Sequence, residues 1–350
     1  MSFEVITIGA ATIDAFVWSK QFRTVRSRAF PTGVGECFSL GSKIEIDHFV
    51  LGTGGGATNA AATFANLGYK TGCIAAVGDD LFGAGVRDDL RRQGISTAFV
   101  KTVPNAQTAF STILVIPSGE RTVLVARGAS EKFSLEMFNW PRIKSSWIYM
   151  TSLGGNIALA EKILRHAKRR GIGVFWNPGS KDLAHGPHHL RPLIKLTRVF
   201  DVNREEAARL TGRTIDDLGG MVSDLVRLGA PIAILTDGEN GAYISEGGHT
   251  WRVLANKKIK VINRTGAGDA FGSGFLAGLI RYRDRTRALQ LGVLNSQGVI
   301  QKIGAKTGLL KAFPSAALLK KIKITSLYVQ SVRDLRYSRF RREASQGSRL

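Results

Sequence analysis

Apolar residues in this chain come either in short unbroken runs or at every third or fourth position of longer segments. The runs Val5-Ile6-Thr7-Ile8 and Cys73-Ile74-Ala75-Ala76-Val77 read as buried strands. From Ile143 onward the alternation is regular. Strands over 146–150, 172–176, 198–202 and 231–236 are separated by helices over 156–169, 187–196, 204–211 and 215–228. Strands spaced by helices require right-handed crossovers, so the pattern predicts an α/β fold with a mostly parallel sheet. Further helices are expected over 79–93, 283–302 and 314–321, and a hairpin over 241–254 turning at Gly247-Gly248.

Two regions break this rhythm. Residues 15–50 are turn-rich and basic and lack a long helical period, with Ile44, Ile46 and Phe49 alternating as in a half-exposed strand. Residues 97–127 contain two alternating stretches, Thr108 to Pro117 and Arg121 to Val125, joined at Pro117-Ser118-Gly119 as in a hairpin. Together they would build a small antiparallel sheet, a natural lid over a cleft. The chemistry-bearing body is expected to run over 1–325. The stretch 326–350 carries many arginines and little apolar pattern, which predicts a disordered or loosely docked tail.

Composition narrows the class only a little. With 350 residues and 44% hydrophobic content the chain can bury a large core. Two cysteines allow at most one disulfide and give no metal-ligand spacing, which fits a reducing cytoplasm. No segment has the charged start and apolar core of a secretory signal, and no run approaches a membrane span, so no membrane partner is expected. The net charge of +22 favours acidic partners and brings in non-specific nucleic-acid binding, chiefly through the basic tail, as a rival explanation.

The candidate chemistry centres on VINRTGAGDAFGSGFLAGLI, residues 261–280. A β-branched start meets Gly266-Ala267-Gly268, then Asp269, then a helical pattern in which Phe271, Phe275 and Leu279 recur every four residues. Gly272, Gly274 and Gly278 would let this helix pack closely. A glycine turn opening a helix aims unpaired N–H groups and the positive dipole end at one spot, which suits a phosphate. An ionised Asp269 inside that turn repels a resting phosphate. It makes sense as a base taking a proton from a hydroxyl while the amides stabilise a passing phosphoryl group, or, more plainly, as a helix cap.

A second glycine turn, Gly52-Thr53-Gly54-Gly55-Gly56-Ala57, also leads into a helix. Alone it matches the dinucleotide pattern, with Asp79 some way on at a strand end, and so admits an NAD-dependent oxidoreductase. Equally, it would let a polar ligand approach the backbone, with Asn59 offering a donor and an acceptor to hydroxyls. Asp14, just after the first strand, is a crevice residue or a solvated turn carboxylate. Asn203 and Glu206, at i and i+3 of a helix start, suit either a hard cation such as Mg²⁺ or a capping box. The polar strand ends Asn177, Asn203 and Thr236-Asp237-Gly238 should line one sheet edge. The histidines of HGPHH (His185, His188, His189) read as a solvated loop rather than a metal site.

The segments GGGATNAAATFANLG and NRTGAGDAFGSGF, in this order, resemble the two signatures of the ribokinase-like (PfkB) carbohydrate kinases, with NPGS, Asn203-x-x-Glu206 and LTDGENGA between them. The resemblance covers about residues 4–322. It implies a three-layer α/β/α body with a β-rich lid, and transfer of the ATP γ-phosphoryl group to a sugar or nucleoside hydroxyl. Carried over residue by residue, it implies Asp269 as base, with Gly266, Ala267 and Gly268 as anion hole. Asp14, Gly55 and Asn59 fall on the acceptor hydroxyls. Asn203 and Glu206 fall on Mg²⁺ and phosphate, and Asn177, Asn203, Thr236, Gly238, Gly241 and Asn295 on the nucleotide. Asn263 stands where relatives usually carry an Asp that helps bind K⁺, which puts K⁺ dependence in doubt. Gly56 stands where ribokinase itself has a Lys. Lid pairing in relatives leaves a homodimer open.

Overall fold

The structure is a computed structural model that describes residues 2–30, 33–116, 120–134 and 137–327. The strands are β1 (Phe3–Ile8), β2 (Thr12–Trp18), β3 (Arg23–Arg26), β4 (Val34–Cys37), β5 (His48–Gly54), β6 (Thr71–Gly78), β7 (Ser96–Val103), β8 (Ala109–Val115) and β9 (Arg121–Ala126). They continue with β10 (Ser145–Met150), β11 (Gly173–Trp176), β12 (Val199–Asn203), β13 (Ile232–Thr236), β14 (Ala242–Glu246), β15 (His249–Val253) and β16 (Ile324–Leu327). The helices are α1 (Gly56–Asn66), α2 (Leu81–Arg92), α3 (Ile157–Arg170), α4 (Ser180–Leu183), α5 (Gly186–Ile194), α6 (Arg204–Thr211), α7 (Leu218–Arg227), α8 (Ala267–Tyr282), α9 (Arg285–Ile300) and α10 (Ala316–Lys320).

The main sheet has the order β16-β15-β14-β13-β12-β11-β10-β1-β6-β7. It is parallel from β7 to β13 and antiparallel through β14, β15 and β16. Near-continuous apolar runs such as β6, buried along its whole length, are what a sheet covered on both faces demands. One face packs on Leu159, Ile163, Leu190, Leu210 and Leu225, the other on Phe64, Phe271, Phe275 and Leu291. Chain order runs outward from β1 in one direction through β6 and β7, and in the other through β10 to β13. The β1/β10 junction is therefore the topological switch point, where a crevice opens beyond the strand ends.

At that junction the chain leaves β1 and enters a second sheet, β5-β2-β8-β9. This is the small second sheet expected beside the core, but β2 and β8 pair parallel where an antiparallel sheet was expected, with three further corrections. Ser96–Val103 joins the main sheet as β7 rather than the lid. The strand near residue 48 begins at His48, so Ile44 and Ile46 lie outside it. Asp14 sits within β2, not at the end of a core strand. The hairpin of β8 and β9 forms in the register Val115↔Arg121, while its turn at 117–119 lies outside the described residues. The lid's small core, Phe16, Ile113 and Val115, packs against Ile303. β16 carries the main sheet to Leu327, two residues past the boundary expected at 325, and 328–350 lie outside the described residues.

The glycines of α8 do what their spacing predicted. A Cβ on Gly274 would sit 2.9 Å from the Asn295 Cβ, and one on Gly278 2.8 Å from the Ala288 Cα. These approaches let α8 and α9 lie backbone to backbone and fix α8 against the sheet. Gly278→Val should therefore destabilise the fold by about 1–3 kcal/mol through overpacking, measured by urea unfolding.

Candidate active site

Two helix starts converge at the switch point. α8 begins at Gly266, whose φ of 80° lies in the left-handed region. A Cβ there would meet the Ala305 carbonyl oxygen at 2.4 Å, so conformation and space both require glycine. Gly268 faces open space, with nothing within 4 Å of its Cβ position. The Ala267 N–H donates back to the Arg264 carbonyl at 3.3 Å. The first turn of a helix leaves N–H groups without intrahelical partners, so this end presents donors and positive potential to the opening.

α1 begins after Gly55 (φ 93°), where a Cβ would lie 2.4 Å from the Ala10 carbonyl oxygen. One turn in, the Asn59 Nδ2 donates to Asp269 Oδ2 at 2.9 Å. The Asn59 Oδ1 is buried without a partner, an acceptor open to a ligand hydroxyl. Asp14, buried in β2, accepts from Thr12 Oγ1 at 3.0 Å, and its Oδ2 lies 2.0 Å from where a Gly54 Cβ would be. Asp14, Gly55, Asn59 and Asp269 are thus brought to one place.

Burial sets the electrostatics. It raises the Asp269 carboxyl above its ordinary value, the Asn59 hydrogen bond opposes this, and the Asp14 charge adds to it. The helix dipole alone would favour the ionised form of this group; desolvation outweighs the groups that favour its charge. A carboxylate with raised proton affinity is a better base near neutral pH. Burial likewise raises Asp14, opposed by the Thr12 and Ser111 hydroxyls and by Lys306.

Across the opening, Asn203 and Glu206 form a reciprocal capping box. The Asn203 Oδ1 accepts from the Glu206 N–H at 2.8 Å and the Glu206 Oε2 from the Asn203 N–H at 2.9 Å. The capping reading is therefore real, and it leaves Glu206 Oε1 outside the box. Burial raises the Glu206 carboxyl, against the hydrogen bond from Asn203. Asn177 ends β11 and spends its Nδ2 on the Asp201 carbonyl at 2.9 Å. Asn203 and Thr236 pair in register at the ends of β12 and β13. Beyond them Gly238 opens to free space, whereas Gly241 is glycine because a Cβ would strike the Val253 carbonyl oxygen.

Asn295 is a correction. It is fully buried, its Nδ2 bonded to Thr63 Oγ1 and the Ala270 carbonyl and its Oδ1 to the Leu310 N–H. It ties α9 to α8 and α1 and has nothing left for a nucleotide. The dinucleotide reading fails on topology, because Gly52 and Gly54 belong to β5, the antiparallel edge strand of the lid, and not to a parallel core strand. Both cysteines are free, Cys37 exposed and Cys73 buried. HGPHH starts α5, and among the described residues no group of His, Cys, Asp and Glu is placed to hold a metal by itself. Among the described residues no helix is long and apolar enough to cross a membrane.

Two residues escaped the sequence reading. Asp201, inside the apolar run of β12, is buried with an unpartnered Oδ1; burial, with Glu206 and Asp269 nearby, pushes it well above the carboxylate range. A charge within a buried strand was the available signal. Lys306, between Gly304 and Gly308, gave only a lone charge in a glycine-rich stretch.

The raised Asp269 makes a stability prediction. Protonated, it costs the fold nothing, so its contribution is intact at low pH and is lost as pH rises through its folded value. Asp269→Asn should melt above wild type at pH 7, the gap closing as pH falls toward 4; a constant gap would contradict the shift.

Residues 32–312 match the family model described as pfkB family carbohydrate kinase. The ribokinase of Haemophilus influenzae is 26% identical over 275 residues, covering 77% of this chain and 88% of its own. The ATP-dependent ribose-1-phosphate kinase of Halopiger xanaduensis is 30% identical over 238 residues, covering 68% and 76%. The Arabidopsis thaliana ribokinase solved with ribose and ATP superposes with a TM-score of 0.72 over 92% of this chain and 98% of its own, at 19% identity, which speaks for the fold. With this fold, and a match across both glycine turns, the chain belongs to the PfkB family of carbohydrate kinases, the sugar and nucleoside phosphotransferases of ribokinase type.

Proposed function

We propose that this protein transfers the ATP γ-phosphoryl group to a hydroxyl of a sugar or sugar-containing small molecule, with Asp269 as the base. The observation that carries this is the junction of Asp269 with Asn59 and Asp14 at the open N-terminus of α8. Asp14 and the free Asn59 Oδ1 are suited to bind acceptor hydroxyls and aim one of them at Asp269. Asp269 takes its proton, and the amides of Gly266 to Gly268 stabilise the charge of the transferring group.

Asn177, Asn203, Thr236, Gly238 and Gly241 lie where the nucleotide would run, along the ends of β11, β12 and β13 and the turn beyond. A Mg²⁺ ion holds few carboxylates and leans on substrate phosphates. The donor set fits that habit: a Glu206 oxygen outside the capping box, beside Asn203, and among the described residues no self-sufficient cluster. Bound there, the ion would offset phosphate charge. The body over 1–325, extended to Leu327, would carry this chemistry, with the lid excluding water from it.

Asp269→Ala should cut phosphoryl transfer by about 10²–10⁴-fold while thermal-shift binding of a non-hydrolysable ATP analogue survives. The acceptor would come from ADP release over ribose, ribose 1-phosphate, hexoses, adenosine and inosine. Retained turnover in the variant would refute the base assignment.

Activation by K⁺ is expected to be weak or absent. The Asn263 Oδ1 accepts from the Thr265 N–H at 3.1 Å, and its Nδ2 is buried and unpartnered, a donor where a cation needs an oxygen. Equal rates in Na⁺ and K⁺ buffers are the expected result; a steep rise with K⁺ would contradict it.

A further inference from the structure

The segment Gly304-Ala305-Lys306-Thr307-Gly308 packs against the start of α8 and is assigned no step in the chemistry above, although the Lys306 charge acts on Asp14. The Ala305 carbonyl oxygen lies 2.4 Å from the position of a Gly266 Cβ, so this backbone is pressed against the first residue of the proposed anion hole. One residue on, the Lys306 side chain turns the other way. Its Nζ meets Asp89 Oδ2 of α2 at 2.5 Å and donates to Thr53 Oγ1 of β5. Thr53 Oγ1 also donates to Asp89 Oδ2 at 2.5 Å, and the Gln93 Nε2 donates to the same oxygen at 2.8 Å. The Lys306 side chain is only 12% exposed and that of Asp89 20%.

Thr53 is the residue before Gly54-Gly55-Gly56, the turn that opens α1 and leads to Asn59. Asn59 in turn bonds Asp269, three residues past Gly266. The contacts close a ring: Gly266 to Ala305, Lys306 to Thr53, the glycine turn to Asn59, and Asn59 back to Asp269. Its front is the proposed acceptor and base pair; its back is one half-buried ion pair.

An ion pair withdrawn from water is a poor way to gain stability, since its desolvation offsets much of its attraction and apolar groups of similar volume often serve as well. What it provides is a fixed position. We infer that Lys306 is a positioning residue that holds the anion-hole turn in register with the acceptor turn, through Asp89 and Thr53. This inference rests on the catalytic reading above. Misplacement of reacting groups by about 1 Å costs about a hundredfold in rate, so the clamp should act on turnover rather than on binding.

The test uses the full chain as Lys306→Met, Lys306→Arg and the double variant Lys306→Met/Asp89→Leu. Lys306→Met should melt below wild type, because it strands a half-buried carboxylate, and the double variant should recover the melting temperature. In the double variant the amides of residues 264–269 should still exchange hydrogen about tenfold faster than in wild type. Its kcat for the acceptor found in the screen should be about 10–100-fold lower with KM little changed. Lys306→Arg, which keeps the charge, should lie between it and wild type.

Wild-type exchange and kcat in the refolded-stable double variant would overturn the inference and make the pair merely structural. So would a rise in acceptor KM with kcat intact, which would put Lys306 on the acceptor itself. Absence of wild-type turnover with every acceptor would count against the kinase reading alone, and the exchange measurement would still decide the role of Lys306.

Discussion

The hydrogen bond from Asn59 to Asp269 joins side chains 210 residues apart in sequence. Everything else in the site is arranged so that this bond can form. It requires two helices to begin at the same point in space, each from a turn that only glycine can make. Gly55 is closed in by the Ala10 carbonyl and Gly266 by the Ala305 carbonyl. A methyl group at either would push its helix away by more than a hydrogen bond tolerates. The close packing of α8 on α9 through Gly274 and Gly278 is the same constraint seen from the far end of the helix. Asp269 is carried by an element with no room to shift.

How much of this could be read from residues alone depends on the range of the interaction. The strand–helix rhythm after Ile143 is local, and its elements fall where the periodicity puts them, within a few residues. Gly266-Ala267-Gly268-Asp269 was legible because a glycine turn, a carboxylate and a small-residue helix are chemically specific in that order. Sheet membership was not legible. Ser96–Val103 and His48–Gly54 look alike as strands, yet one closes the parallel core and the other edges the lid, a choice made by partners far along the chain. Asn295 failed for a related reason. An asparagine in a helix facing the site and one buried between three helices read identically until the packing is known. The Asn203 and Glu206 pair was recognised, and its capping box shows that a cap and a cleft-lining pair can be one arrangement.

The interior around the candidate site holds more carboxyls than a stable core would choose. Asp14, Asp201, Glu206 and Asp269 are all shifted upward by burial, and Asp201 and Asp269 are each shifted further by a neighbouring carboxylate. Buried like charges oppose folding unless protons or counter-ions relieve them. On the proposed reading, a divalent cation and the hydrogen-bond donors of an acceptor would supply that relief.

Asp14 and Asp269 also sit on different bodies, one in the lid sheet and the other at the head of a core helix. Their coupling therefore depends on how the lid sheet lies over the core. An acceptor that donates a hydrogen bond to Asp14 favours the charged form of that carboxylate, and a charged Asp14 raises the proton affinity of Asp269. On the proposed reading, the group that holds the acceptor thereby strengthens the base that acts on it. The strengthening is greatest where water is excluded, because screening is weakest there. A lone carboxylate in an open cleft would lack both effects, which is a physical reason for lid and helix to meet at this one point.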